Sequence, residues 1–90
     1  MRTLLEIEAG WRSFADGLIE FDNVARADAS ACRAEIAKEV QWICSTPMAL
    51  LSIPARIAKY TELQKNDKIN LMDFDFWWRQ RIAFFQWVLS

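Results

Sequence analysis

Apolar residues recur every three or four positions through the first 21 residues, and this spacing constrains the fold more than any other feature. They form one continuous stripe if the segment is helical: Leu4, Ile7, Trp11, Phe14, Leu18 and Phe21. A strand would need alternation at every second residue instead. Thr3 and Glu6 have the spacing of a capping box, in which each side chain accepts a hydrogen bond from an unbonded amide at the helix start. The pattern predicts a helix over residues 3–21.

Two glycines interrupt this helix on the same side, at Gly10 and Gly17. Each costs up to about 1 kcal/mol relative to alanine in a helix interior. Two interpretations stay open. The glycines either allow the backbone of another element to approach closely, or they are tolerated without a packing role.

A second helical pattern covers residues 24–45, again with apolar residues three or four apart. Its start is ambiguous, since either Asp22 or Asp28 has a side chain suited to cap the first amides. Trp42 falls beside the apolar stripe, so it either covers a helix end or contacts a partner.

The third helix is predicted over residues 47–65. Thr46 and Pro47 suit its start, because a hydroxyl caps free amides and proline lacks only an amide that would be unbonded there anyway. Pro54 cannot donate a hydrogen bond to the preceding turn, which predicts a break or kink near this residue.

The last helix is predicted over residues 71–89, with Asn70 three residues before Asp73 as its start. The sequence holds only two glycines and two prolines, whereas a β-fold needs frequent turns. Four helices with short connections therefore predict a single all-α domain over residues 1–90, a compact helical bundle.

The last helix carries an unusual number of aromatic residues, with seven of the chain's twelve between positions 74 and 87. At 100° per residue they cover most of the circumference, while a helix docked on one side needs an apolar arc of a little over ~100°. Three outcomes would bury the surplus. The helix is central in the bundle, or pairs with its copy in a homodimer, or binds another protein.

The apolar residues of this helix divide into two groups. The broader face is expected in the bundle core: Phe74, Trp78, Ile82, Phe85 and Leu89. The second group is predicted to bind the partner: Phe76, Trp77, Ala83, Phe84 and Trp87. Four basic residues are predicted as secondary polar contacts: Arg79, Arg81, Arg56 and Lys59.

Catalytic and metal chemistry have no support in the sequence. There is no histidine, which excludes Ser–His–Asp and Cys–His arrangements, and there is no glycine-rich phosphate loop. Cys32 and Cys44 lie within apolar periodicity and are predicted to be buried free thiols. We therefore expect no catalytic residue, no cofactor, no metal and no small-molecule substrate, and we predict that the protein is not an enzyme.

Charge and hydropathy also limit the partners. The formal net charge is −1, and the modest basic stretch around Arg56 and Lys59 is diluted by acidic residues, so we do not expect nucleic-acid binding. Arg79 and Arg81 interrupt the most apolar segment, which argues against a membrane span. Glu6 interrupts the N-terminal apolar run, so no signal peptide is expected, and the protein is predicted to be cytoplasmic.

The leading hypothesis is a small non-enzymatic interaction protein, such as an adaptor, assembly factor or inhibitor. It would bind a larger protein or complex and self-associate through the aromatic C-terminal helix. One alternative is a structural or surface-coating protein that docks this helix on a membrane or granule surface. A further alternative is a weak nucleic-acid-binding helical protein.

Overall fold

The part of the chain that the structure describes forms four α-helices. The computed structural model describes the backbone of residues 1–66 and 72–90, and the side chains of residues 1–66 and 78–90. The helices are α1 (Leu4–Phe21), α2 (Arg26–Ser45), α3 (Ala49–Asn66) and α4 (Met72–Leu89). Within these residues there is no strand, and the helices form the predicted all-α bundle.

Both ends of α1 are fixed by local hydrogen bonds. The predicted capping box is confirmed, since the Thr3 hydroxyl accepts from the Glu6 amide and the Glu6 carboxylate accepts from the Thr3 amide. At the other end Asn23 adopts a left-handed conformation with φ 52°. The Val24 amide then donates to the Ile19 carbonyl at 3.0 Å, the reversal that commonly ends helices.

The start of α2 differs from the prediction. The helix begins at Arg26 rather than at residue 24, and Ala25 precedes it without a side-chain cap. Neither Asp22 nor Asp28 caps this helix. Asp22 instead follows the last residue of α1 and accepts a hydrogen bond from the Gln80 side chain on α4.

The start and continuity of α3 also differ from the prediction. Thr46 closes α2, where its amide donates to the Trp42 carbonyl at 3.0 Å, and α3 begins only at Ala49. The predicted break near Pro54 is wrong, because the helix continues through it. Proline removes a single hydrogen bond, while Ile53 and Tyr60 are both buried and hold α3 on the core to either side of Pro54.

The helices alternate in direction, and α4 contacts all three others. Glu8 lies beside Cys44 and Asp16 beside Arg33, so α1 and α2 are antiparallel. In the described residues α2 and α4 also touch across the bundle, whereas α1 and α3 do not contact each other. The fold accordingly measures 34 × 27 × 20 Å, with α1 and α3 at the two outer corners of a flattened cross-section.

The core contains residues from every helix, and α4 supplies its largest side chains. Phe84, Phe85 and Val88 are fully buried. Trp78, Ile82 and Leu89 pack against this core, as predicted for the broad face of the last helix. Phe74 lies outside the residues whose side chains are described, and the Asn70 prediction lies outside the described residues altogether.

The two glycines of α1 have different surroundings. A Cβ atom at Gly10 would lie 3.1 Å from Cζ2 of Trp87, whereas nothing lies within 4 Å of one at Gly17. An indole ring therefore approaches Gly10 closely, but the predicted close approach of another backbone is found at neither glycine among the described residues. Phe21, the last residue of the predicted stripe, is 85% exposed because the helix ends there.

Candidate functional site

The residues predicted to bind a partner do not form an exposed patch in the described part of α4. Phe84 is 0% exposed, so its assignment to a binding surface is wrong. Ala83 and Trp87 are half-buried, and the side chains of Phe76 and Trp77 lie outside the described residues. The physical reason is that α4 packs against three helices, which cover more of it than one docked face would.

Trp87 joins α4 to α1 and to the start of the chain. Its ring stacks on Phe14, with centroids 5.0 Å apart and planes at 19°. The Arg2 guanidinium lies 4.5 Å from the ring centroid and donates to the Trp87 carbonyl at 2.6 Å. A cation at this position is also stabilised by the negative, C-terminal end of the helix dipole. Trp87 therefore belongs to the domain's own packing.

Arg79 and Arg81, predicted as secondary contacts, are also engaged within the domain. Arg79 donates to Asp22 at 3.4 Å, which ties α4 to the end of α1. Arg81 pairs with Glu35 of α2, and its guanidinium lies 4.9 Å from the Trp78 ring centroid. Their charges are used to hold α4 against its neighbours.

Arg56 belongs to a buried polar cluster between α2 and α3. Glu39 accepts hydrogen bonds from the Tyr60 hydroxyl at 2.7 Å and from Arg56 Nε at 3.2 Å, and the guanidinium lies 3.9 Å from the Trp42 ring centroid. Burial and the hydrogen bond to Glu39 raise the pKa of Tyr60 to about 12. Glu39 on α2 is therefore bonded to two side chains of α3. Lys59, the other predicted contact on α3, is exposed.

The two cysteines differ in exposure. Cys32 is buried as predicted, and burial raises its pKa. Cys44 is exposed, so that half of the prediction is wrong, and its thiol donates to the Glu8 carboxylate at 3.2 Å. Desolvation and this hydrogen bond raise the pKa of Cys44, which disfavours the reactive thiolate. Among the described residues no group of three or more acidic or cysteine side chains is placed to hold a metal.

Large apolar side chains are exposed at one end of the bundle, where α1 begins, α2 leads into α3, and α4 ends. The amide of Arg2 donates to the Val88 carbonyl at 2.8 Å, which brings the first and last helices together at this end. We call the exposed group the apolar end, and its members are 44–78% exposed: Met1, Leu4, Leu5, Met48 and Leu51.

Met48 is the most unusual member of the apolar end. Its backbone is left-handed, with φ 59°, and its side chain is 71% exposed. The left-handed conformation is uncommon for a residue that is not glycine, asparagine or aspartate. It allows the chain to turn between Thr46, which closes α2, and Ala49, which opens α3.

The sequence contained a partial signal for this surface. Leu50 and Leu51 are adjacent, as are Leu4 and Leu5, and neighbours on a helix point about 100° apart. A helix docked by one face therefore tends to expose one member of such a pair. In α3, Leu51 is exposed and the adjacent Leu50 is half-buried. No sequence signal reveals the left-handed Met48, since the preference at that geometry is for glycine.

No helix in the described residues combines the length and the hydropathy that crossing a membrane would require. Comparison of the chain with protein-family models, with curated proteins and with solved structures gives no match.

Proposed function

We propose that this chain is a non-enzymatic protein-binding module of the adaptor, assembly-factor or inhibitor class, and that its partner binds the apolar end. The proposal moves the contact surface from the aromatic residues along α4 to the end of the bundle where α1 and α3 begin. The single observation that carries it is Met48, which is both exposed and held in a left-handed conformation.

Met48 is poorly suited to its position by the criteria of folding alone. A non-glycine residue in the left-handed region costs roughly 1–2 kcal/mol. The side chain recovers little of this cost by burial, since it is 71% exposed. Methionine is, however, well suited to binding, because its flexible, polarisable side chain adapts to varied apolar surfaces.

Four further apolar side chains are exposed at the same end of the bundle as Met48. Together the five side chains of the apolar end leave on the order of 500 Å² of apolar area in water. Glu6 and Glu8 lie on the same first turns of α1. Their negative charge disfavours anionic lipid and favours a protein partner over a membrane or granule surface.

Two further observations support the proposal, one about the cellular compartment and one about nucleic-acid binding. Both cysteines are free thiols, which suits a reducing compartment such as the cytoplasm. The nucleic-acid alternative is weakened, because the Arg56 guanidinium is bonded to Glu39 and stacked on Trp42.

Replacing Met48 by glycine tests the proposal, because it separates folding from binding. Glycine adopts the left-handed conformation without strain, so Met48→Gly should raise the free energy of unfolding by about 0.5–1 kcal/mol, net of the greater freedom of glycine in the unfolded chain. The same change should abolish capture of the partner from a lysate of the native host, measured by quantitative mass spectrometry against immobilised wild type.

Asn23→Gly is the matched control, since Asn23 is also left-handed, with φ 52°, but lies at the opposite end of the bundle. It should leave capture unchanged. If Met48→Gly captures the same proteins as wild type and Asn23→Gly, the apolar end is not the binding surface. Flotation of wild type with vesicles, and no capture by protein, would favour the surface-coating alternative.

A further inference from the structure

The four helices pack as two hairpins. In the described residues contacts are densest between α1 and α2 and between α3 and α4, and they are sparser between these two pairs. We call α1 with α2 the first hairpin and α3 with α4 the second hairpin. The turn of residues 46–48, between α2 and α3, is the one covalent link between the two hairpins.

The side-chain ion pairs between the hairpins all have the same polarity. Among the described residues there are three: Glu39 with Arg56, Asp22 with Arg79, and Glu35 with Arg81. In each pair the acid belongs to the first half of the chain and the arginine to the second. Residues 1–45 carry a formal charge of −3, from five basic and eight acidic residues, and residues 46–90 carry +2, from six basic and four acidic. Each hairpin is therefore electrostatically complementary to the other and not to itself.

The turn between the hairpins is closed in a conformation that methionine disfavours. Met48 is left-handed, with φ 59°, a region that L-residues other than glycine, asparagine and aspartate seldom adopt. The turn is held by local bonds, since the Thr46 amide donates to the Trp42 carbonyl and the Ala49 amide to the Thr46 carbonyl. Met48 is 71% exposed, so opening the turn relieves this strain at little cost in burial. Short strained turns of this kind favour the exchange of elements between copies.

An opened turn allows α2 and α3 to continue as one helix. Methionine has a good helix propensity, and α3 already continues through Pro54, so a single proline does not prevent a helix in this chain. A continuous helix over residues 26–66 would be about 60 Å long at 1.5 Å per residue. The folded domain is only 34 Å in its longest dimension. The second hairpin of an opened chain therefore lies beyond the reach of its own first hairpin and needs the first hairpin of another copy.

The same opening brings two apolar ends together. Because α2 ends and α3 begins at the apolar end, a straight connection places the second bundle directly beyond this end, with its own apolar end facing the first. Leu5 and Leu51, which are 78% and 67% exposed in the single chain, then lie where the two bundles meet. The exchange thus removes from water apolar side chains that one copy leaves exposed.

We propose that two copies of this chain exchange their second hairpins at the turn of residues 46–48, so that the first hairpin of each copy packs against the second hairpin of the other. Every ion pair and core contact between hairpins is retained, because each residue meets the same neighbour on the other copy. The two forms differ at the turn and at the apolar ends that meet. The exchange needs no other protein, so it does not rest on the proposed partner binding.

Two adjacent substitutions in the turn should shift this exchange in opposite directions. Pro47→Ala removes the residue least suited to a continuous helix, and because each dimer contains two such turns, the association constant should rise by about a hundredfold or more. Met48→Gly favours the closed turn and disfavours the helix, so the association constant should fall by about tenfold or more. Each chain is unfolded in urea and refolded at a series of concentrations, and sedimentation velocity measures the dimer fraction. Asn23→Gly, at the left-handed residue inside the first hairpin, is the matched control and should leave that fraction unchanged.

A complementation experiment separates hairpin exchange from an ordinary dimer. Glu35→Arg alone and Arg81→Glu alone each place like charges across the hairpin interface, both in the single chain and in its own exchanged dimer. In a mixed exchanged dimer one interface carries the reversed pair and the other carries the wild-type pair. Native mass spectrometry of the two variants refolded together should therefore show the mixed dimer in excess of either like dimer by about tenfold or more. An ordinary dimer would keep the like charges within each chain and give no such excess.

Either of two outcomes would overturn the exchange. One is a dimer fraction that neither Pro47→Ala nor Met48→Gly changes, and this measurement does not depend on the folding of the charge variants. The other is a mixture of the two charge variants that yields mixed and like dimers in statistical proportion. Dimer formation is measured on the purified chain, whereas partner capture is measured on the monomer, so the exchange and the proposed function can fail separately.

Discussion

The contact between Gly10 and Trp87 gives a prediction whose sign is set by the structure. Alanine at an ordinary helix position is favoured over glycine by about 0.5–1 kcal/mol. At Gly17, where nothing lies within 4 Å of the added Cβ, that gain should be realised in full. Gly17→Ala should therefore raise the melting temperature by about 2–8 °C in a domain of this size.

At Gly10 the same substitution meets the indole of Trp87. The new Cβ would lie 3.1 Å from Cζ2 and 3.2 Å from Cη2, so the ring must move by a few tenths of an ångström. The ring is stacked on Phe14 on one side and lies 4.5 Å from the Arg2 guanidinium, which limits such movement. Overpacking of this kind costs about 1–3 kcal/mol. Net of the helix gain, Gly10→Ala should lower the free energy of unfolding by roughly 0–2.5 kcal/mol.

Urea unfolding followed by circular dichroism measures both changes, and a double-mutant cycle assigns the cause. In a Trp87→Phe background the outer atoms of the indole are absent, and Gly10→Ala should become stabilising as Gly17→Ala is. If Gly10→Ala stabilises wild type as much as Gly17→Ala does, the indole yields freely, and Trp87 is not the fixed packing element described above.

Phe84→Ala should lower the free energy of unfolding by about 3–5 kcal/mol, because the ring is fully buried. Thermal unfolding should then lose its cooperativity, whereas a variant as stable as wild type would contradict the place of Phe84 in the core. Tyr60, the one tyrosine, has its pKa raised to about 12 from the usual 10.0, so its contribution to stability is complete below pH 10 and declines between pH 10 and 12. Tyrosinate absorbance should follow that pKa, and Tyr60→Phe should remove this part of the alkaline loss of stability. A thiol reagent should modify one cysteine, Cys44, in the folded chain and Cys32 only in denaturant; two fast thiols would show that the core opens readily.

Local signals in the sequence predicted the first helix almost completely. Thr3 and Glu6 act within one turn, and the apolar stripe needs only a helical period, so neither depends on distant contacts. The break predicted at Pro54 failed because proline's local cost is small beside the burial of Ile53 and Tyr60 around it. The start of α2 could not be predicted from the sequence, because the residue before it, Ala25, has no side chain that caps the helix.

The candidate site was harder to predict than the fold, because it depends on how many helices surround α4. A helical wheel shows that aromatic residues cover most of α4, but it does not show that three neighbours cover them. Phe84 was therefore predicted to lie on the surface, but it is buried in the core. Met48 was predicted to be helical, but it lies in the turn between α2 and α3, where its backbone is left-handed.

The central place of α4 has a consequence for synthesis on the ribosome. The largest core side chains, Phe84 and Phe85, are synthesised after the other three helices, and in the described residues α1 and α3 do not contact each other. A nascent chain that ends before α4 therefore exposes the apolar faces of three helices with little to cover them. We expect the domain to fold only after α4 leaves the exit tunnel, and until then the growing chain is a substrate for chaperones.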